Sequence, residues 1–130
     1  MNTEIVERDM PPEFVPLYRA CIKKYGLPIE PGQGRLGFDT GRGYVVKLPW
    51  NYKGDEHNIS EYVRWRHREQ FCAEFARCRL TVISGINVLV MEKVTEPAPD
   101  FEYPEWTCAI DCQQVGFNRK GQLVAYDYAS

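Results

Sequence analysis

Residues 79–94 read RLTVISGINVLVMEKV, two apolar, β-rich runs joined by Ser84-Gly85-Ile86. A glycine in so short a connection between strand-forming runs is a hairpin signal, which commits the chain to antiparallel sheet. CQQVGF and QLVAYDY repeat the signal near the C-terminus, flanking Asn118-Arg119-Lys120-Gly121 with a glycine available for a positive φ. GYVVKLP adds a strand in which Tyr44, Val45 and Val46 favour β structure and Pro49 ends it.

Two helices are predicted beside these strands. In PPEFVPLYRACIKKYG, Phe14, Leu17, Tyr18, Cys21, Ile22 and Tyr25 recur at three- and four-residue steps. Its prolines stand at the start, Lys23 and Lys24 suit the C-terminal dipole, and Gly26 can cap the end. A longer helix is expected to start near Asp55 or Asn58 and run to about Ala76. Ile59, Tyr62 and Val63 form one apolar stripe, and Phe71, Cys72 and Phe75 a second, offset around Arg66–Glu69.

The remaining segments are connections. LPIEPGQGRLGFDTGRG holds five glycines and two prolines in 17 residues and reads as loop and turn, with a short strand at Arg35–Asp39. WNYKGDEHN reads as a connection, and TEPAPDFEYPEW, with three prolines and four acids, as a linker. The order gives an α+β domain with a mainly antiparallel sheet and a long helix packed on it, plus an N-terminal helix and a C-terminal β-hairpin. It divides into an arm (1–10), a helix (11–26), a central unit (32–94), the linker (95–107) and the hairpin segment (108–130).

A chain of 130 residues is one domain, and its 44% hydrophobic and 26% charged residues are those of a globular protein. A net charge of −2 gives no global attraction to nucleic acid or anionic membrane. The acidic, polar start MNTEIVERDM is not a secretory signal, and no apolar run approaches a membrane span, so the chain is read as cytoplasmic. Five cysteines (Cys21, Cys72, Cys78, Cys108, Cys112) in apolar or helical contexts read as reduced, buried thiols. Zinc binding through them and His67 fits poorly with their spacing.

Four features then fall in a telling order. Lys47 ends an apolar strand, and Glu61 follows 14 residues later in Asn58-x-x-Glu61. VLVMEKV runs into the linker, and a late hairpin leads to Asp127. A strand lysine held by a helix glutamate, followed by a hinge and a metal-binding aspartate after a late hairpin, are the ATP-handling parts of a protein kinase. Through GYVVKLP, NISE, VLVMEKV and QVGFNRKGQLVAYDYA, roughly residues 32–129 resemble the protein-kinase-like superfamily. The likeness is to the N-terminal lobe plus one hairpin, as in the short kinase-like proteins of bacteriophages and mobile elements.

The resemblance implies a kinase N-lobe-like fold and residue roles. Lys47 would contact the nucleotide phosphates and pair with Glu61. Met91 would stand at the back of the adenine pocket, with the backbone of Glu92 and Val94 along the adenine edge. Asp127 and Gln114 would take the metal positions, and Asp111 the catalytic base. ATP and Mg²⁺ are the implied ligands of an active site, and an inactive one needs neither. Gly32-x-Gly34-x-x-Gly37 has the spacing of a phosphate loop, against which stands a plain surface turn.

The large C-terminal lobe of a kinase has no counterpart in this sequence, so the parts that hold a substrate and close the site are missing. Phosphoryl transfer depends on such positioning. The function expected is therefore that of a catalytically inactive, kinase-like protein that binds and regulates or inhibits a host protein. The alternative is a minimal ATP/Mg-binding protein or phosphotransferase using Lys47, Glu61 and Asp127.

Simpler readings stand beside these. Lys47 could be a solvated edge-strand lysine and Asp127 an ordinary strand end. Arg64, Arg66 and Arg68, with Trp65, could form a nucleic-acid patch, but Glu61, Glu69 and Glu74 balance them, so a solvated helix face is preferred. Trp50, Tyr52, Tyr103 and Trp106 fall in loops, where exposed aromatics suit a protein interface.

Overall fold

The computed structural model describes residues 7–31, 34–110 and 113–128. It is α+β. A 3-10 turn (Pro12–Phe14) leads into helix α1 (Val15–Tyr25), then come β1 (Glu30–Pro31), β2 (Arg35–Asp39) and β3 (Tyr44–Pro49). Helix α2 (Tyr52–Arg66) precedes β4 (Cys78–Ile83) and β5 (Ile86–Glu92). A 3-10 segment (Glu105–Ala109) and the strands β6 (Val115–Phe117) and β7 (Leu123–Ala125) complete the order. The first five strands form one antiparallel sheet, ordered β1-β2-β3-β5-β4, and β6 and β7 a separate hairpin.

The β4–β5 hairpin is tighter than its sequence suggested. Ile83 pairs with Ile86, leaving Ser84 and Gly85 as a two-residue loop with φ of 52° and 78°. Two positive φ values match the right-handed strand twist, and Gly85 adopts one at no steric cost.

Register divides the sheet into two faces. Leu36, Phe38, Val46, Leu48, Ile86 and Val88 share one face and are buried with Phe14, Tyr18 and Cys21 of the N-terminal helical segment. The other face carries Leu89, Met91 and Cys78, packed with Val115, Val124, Ala125 and Tyr128 from the C-terminal region. It also carries Arg35, Lys47 and Asn87, the polar residues that meet α2.

In the first core the Tyr18 hydroxyl is buried and has no hydrogen-bond partner among the described residues. Leaving a polar group so costs about 1–3 kcal/mol. Tyr18→Phe is therefore expected to be neutral or to stabilise by about 1 kcal/mol in urea denaturation, and a clear loss would show that the hydroxyl has a partner.

Three expectations need correction. The second helix starts earlier and stops ten residues sooner than Ala76. WNYKGDEHN is mostly helix, because the Asn51 side chain accepts a hydrogen bond from Gly54 N (2.8 Å) and caps it. The end comes at His67, where the apolar stripe shifts. Phe71 is already extended, and Phe75 pairs with Ala125 instead of continuing a helix. The described part of the Gly32–Gly37 stretch is not a plain turn, since Gly37 lies inside β2 (Arg35–Asp39, where a short strand is expected) opposite Lys47, and Gly32 lies outside the described residues.

Gly34 meets the first turn of α2. A Cβ on it would stand 2.9 Å from Gly54 N, and its carbonyl accepts from Trp50 N at 3.0 Å. Two glycines thus bring sheet and helix within backbone contact, and this closeness sets the depth at which α2 crosses the sheet. The C-terminal hairpin is tied at both edges. Thr95 and Phe117 exchange backbone hydrogen bonds of 2.8 Å, while Ala125 bonds to Glu74 and Ala76, also at 2.8 Å.

Candidate functional site

Helix α2 presents Asp55, Asn58 and Glu61 to the polar face of the sheet, each three residues after the last. Asp55 accepts from the Asn87 backbone N–H (2.7 Å) and side chain (3.0 Å). Asn58 is fully buried and donates to the carbonyls of Lys47 (2.9 Å) and Asn87 (2.8 Å), so one amide joins β3 to β5. Its oxygen accepts from Arg35 Nη1 at 3.1 Å.

Glu61 is the centre of the cluster. Its side chain is 0% exposed, and it accepts from Lys47 Nζ (2.6 Å) and Arg35 Nη1 (2.7 Å) on Oε1. Its Oε2 accepts from Arg35 Nη2 (3.4 Å) and the Tyr128 N–H (2.7 Å). Burial alone would raise its pKa, but the charges and hydrogen bonds of Lys47 and Arg35 outweigh burial and hold the carboxyl below its ordinary value. Lys47, 14% exposed, also donates to the Tyr126 carbonyl. Burial pushes its amine below the usual lysine value, and Glu61 opposes that only in part.

Asp127 lies beyond the end of β7 with its side chain 41% exposed, and its Oδ1 accepts from Arg35 Nη2 at 3.0 Å. One guanidinium, 12% exposed, therefore bridges the helix carboxylate and the C-terminal one. Lys47, Glu61 and Asp127 do converge, and the reading of Lys47 as a solvated lysine fails. The residue that joins them, Arg35, was only a strand residue in the sequence. Its signal was the alternation in RLGFD, which puts Arg35, Gly37 and Asp39 on the face opposite Leu36 and Phe38.

The other candidates make contacts of their own. Met91 is buried between its register partners Val45 and Cys78. The Glu92 N–H bonds to the Arg77 carbonyl (2.9 Å), and its carboxylate accepts from Arg77 N (2.7 Å). Val94 packs on Gly116, where a Cβ would come within 2.8 Å of its methyl group. The Gln114 carbonyl accepts from Tyr126 N at 3.1 Å. Asp111 lies outside the described residues.

The Mg²⁺ that the resemblance implies does not fit this arrangement. Mg²⁺ needs free carboxylate or phosphate oxygens in near-octahedral geometry. Here Glu61 already serves four donor contacts and Asp127 holds a guanidinium, and among the described residues no three His, Cys, Asp or Glu side chains group to hold a metal. Two cations and two carboxylates balance without one.

Beside the cluster, Phe71, Cys72, Phe75, Cys108, Ile110, Asp127 and Tyr128 help line a groove of about 680 Å³. The Tyr128 ring stacks on Phe75 at 4.3 Å, and its hydroxyl donates to the Ala76 carbonyl (2.6 Å). Cys72 and Cys108 are exposed, correcting the expectation that the thiols are buried, while Cys21 and Cys78 are buried and burial pushes the Cys78 thiol up to about 11. Iodoacetamide at neutral pH should label Cys72 and Cys108 in the native protein, and Cys21 and Cys78 only after denaturation, as read by peptide mass mapping. Labelling of native Cys78 would contradict the packing around Tyr128.

The arginines proposed as a nucleic-acid patch lie against neighbouring aromatic rings of their own segment. Arg68 stands over Trp65 at 4.3 Å, Arg66 over Tyr62 and Arg64 over Phe71, each at 5.9 Å. The Trp65 face that would stack a base is covered by Arg68. No described helix is long and apolar enough to cross a membrane. No family model matches the chain, and no curated protein or solved structure matches it.

Proposed function

We propose that this chain is a kinase-like protein that does not transfer phosphate and acts by binding another protein, as a regulator or inhibitor. The observation that carries the reading is the engagement of Lys47. Beyond its pairing with Glu61, its ammonium donates to the Tyr126 carbonyl and is only 14% exposed, so it braces the sheet against the C-terminal segment instead of reaching for a phosphate. This engagement supports reading the kinase-like order of residues as a retained scaffold. A bacteriophage or mobile-element origin, with a cytoplasmic host protein as target, belongs to the resemblance.

Leu27 and Ile29, 64% and 58% exposed next to β1, supply an apolar surface of the kind protein partners cover. The test joins two measurements. Incubation with radiolabelled ATP and Mg²⁺ should label neither the protein nor a general acceptor such as casein. Capture from bacterial lysate should retain a partner that the well-folded variant Ile29→Asp loses. Phosphate transfer that disappears in Lys47→Met would reject the reading.

One observation favours the second reading, a nucleotide-binding protein. Gly37, cross-strand from Lys47, lies between Ile29 and Val45, whose side-chain carbons stand 3.6 and 3.5 Å from the place of its missing Cβ. These apolar carbons beside Gly37 would serve as the contact for a planar ring. A ligand at 100 times its Kd adds about 2.7 kcal/mol of stability, so a saturable rise in melting temperature with ATP would support this second reading. No rise at millimolar ATP would reject it.

A further inference from the structure

We propose that Arg35 is a built-in replacement for the divalent cation at Asp127. This rests on reading Asp127 as the metal position of a kinase-like chain. A metal there would draw the carboxylate toward the Lys47–Glu61 pair by its charge. The Arg35 guanidinium performs that task from within the fold, with Nη2 3.0 Å from Asp127 Oδ1 and both Nη atoms on Glu61 at 2.7 and 3.4 Å.

The position of Arg35 is built, not incidental. β2 register sets Arg35 opposite Pro49 and two residues from Gly37, the partner of Lys47, so both cations leave the sheet on the side of α2. Asn58 Oδ1 holds Nη1 at 3.1 Å and fixes the plane of the fork. A planar, weakly hydrated guanidinium can bridge two carboxylates in a recess where Mg²⁺ would have to give up tightly held water. The four side chains sum to zero charge, and a divalent ion added to them would leave two positive charges unbalanced beside Lys47.

Removing Arg35 turns this balance over. Lys47 then faces two carboxylates, and the fork's place between Glu61 and Asp127 opens to a cation. The experiment is a Mn²⁺ titration of the whole chain, read by the electron paramagnetic resonance signal of free Mn²⁺ and by melting temperature. The proteins are wild type, Arg35→Gln and Arg35→Gln/Asp127→Asn. Wild type should take up no Mn²⁺ at millimolar concentration. Arg35→Gln should bind it about tenfold or more tightly, as loss of a unit charge a few ångströms away implies, and the double variant should lose the gain. Arg35→Ala, which also removes the charge and the fork, covers the case in which Arg35→Gln does not fold. Mn²⁺ should raise its melting temperature and leave that of wild type unmoved.

Asp127-dependent Mn²⁺ binding by wild type would overturn the proposal, and so would folded Arg35 variants that bind no better than wild type. The titration contains neither nucleotide nor partner, so its failure leaves the binding-protein reading standing. The phosphate-transfer assay tests that reading separately.

Discussion

Glu61→Ala is expected to destabilise the protein by about 3–5 kcal/mol, the loss that follows when one partner of a buried ion pair is removed. The substitution leaves Lys47 and Arg35 side by side, with only the half-exposed Asp127 to balance them, and strips the Tyr128 N–H of its acceptor. Lys47→Met should be milder, because Arg35 still serves Glu61. Chemical denaturation of the two variants checks the order, and a Glu61→Ala loss below that of Lys47→Met would contradict it.

Glu61→Gln adds a pH signature. The folded pKa of Glu61 lies below its ordinary 4.5, so its ionisation stabilises the protein at pH values above 4.5. That contribution is lost as pH falls from 4.5 through the folded value. The stability gap between wild type and Glu61→Gln should therefore be widest near neutrality and close on acidification below 4.5. A gap that stays constant to pH 3 would show that folding does not lower the pKa of Glu61.

Gly54→Ala is the second large effect, of about 3 kcal/mol, toward the top of the usual range for forced overpacking. Alanine is the better helix former by about 1 kcal/mol. Here, however, its methyl group would overlap the Gly34 carbonyl oxygen and stand 2.6 Å from the carbonyl carbon. Those are backbone atoms of the β1–β2 connection, which cannot swing aside as a side chain would. Because α2 would be pushed off the sheet, the Arg35–Asn58 and Lys47–Glu61 contacts should loosen as well. A lower melting temperature is the expected result, and unchanged or increased stability would contradict the packing described.

These two variants mark what the sequence could and could not disclose. The strands and their hairpins were legible because β-branched runs, prolines and turn glycines are local signals, and the resulting α+β arrangement is the one found. Asn58, Glu61 and Lys47 were visible as a pattern of spacing. The length of α2 was not. Its start depends on a cap by Asn51 and a glycine demanded by Gly34, and its end on the pairing of Phe75 with Ala125. The Asn51 cap is local and lies in the segment read as a connection, whereas the other two are contacts between distant residues, to which periodicity is blind.

Arg35 was missed for a related reason. An arginine in a glycine-rich stretch carries no local mark of burial, and its partners stand 26 and 92 positions away. Only the β2–β3 register and the return of the C-terminal segment bring them together. Asp127 accordingly changes meaning. In the sequence it was a carboxylate waiting for a metal, and in the fold it has a cation from its own chain.

The most direct test of this account is a double-mutant cycle of Arg35→Met and Asp127→Asn, measured by denaturation at neutral pH and low salt. The pair is partly exposed, so a favourable coupling of about 1 kcal/mol is predicted, shrinking as salt is added. Additive single effects, with no coupling between the two positions, would contradict the claim that Arg35 occupies Asp127.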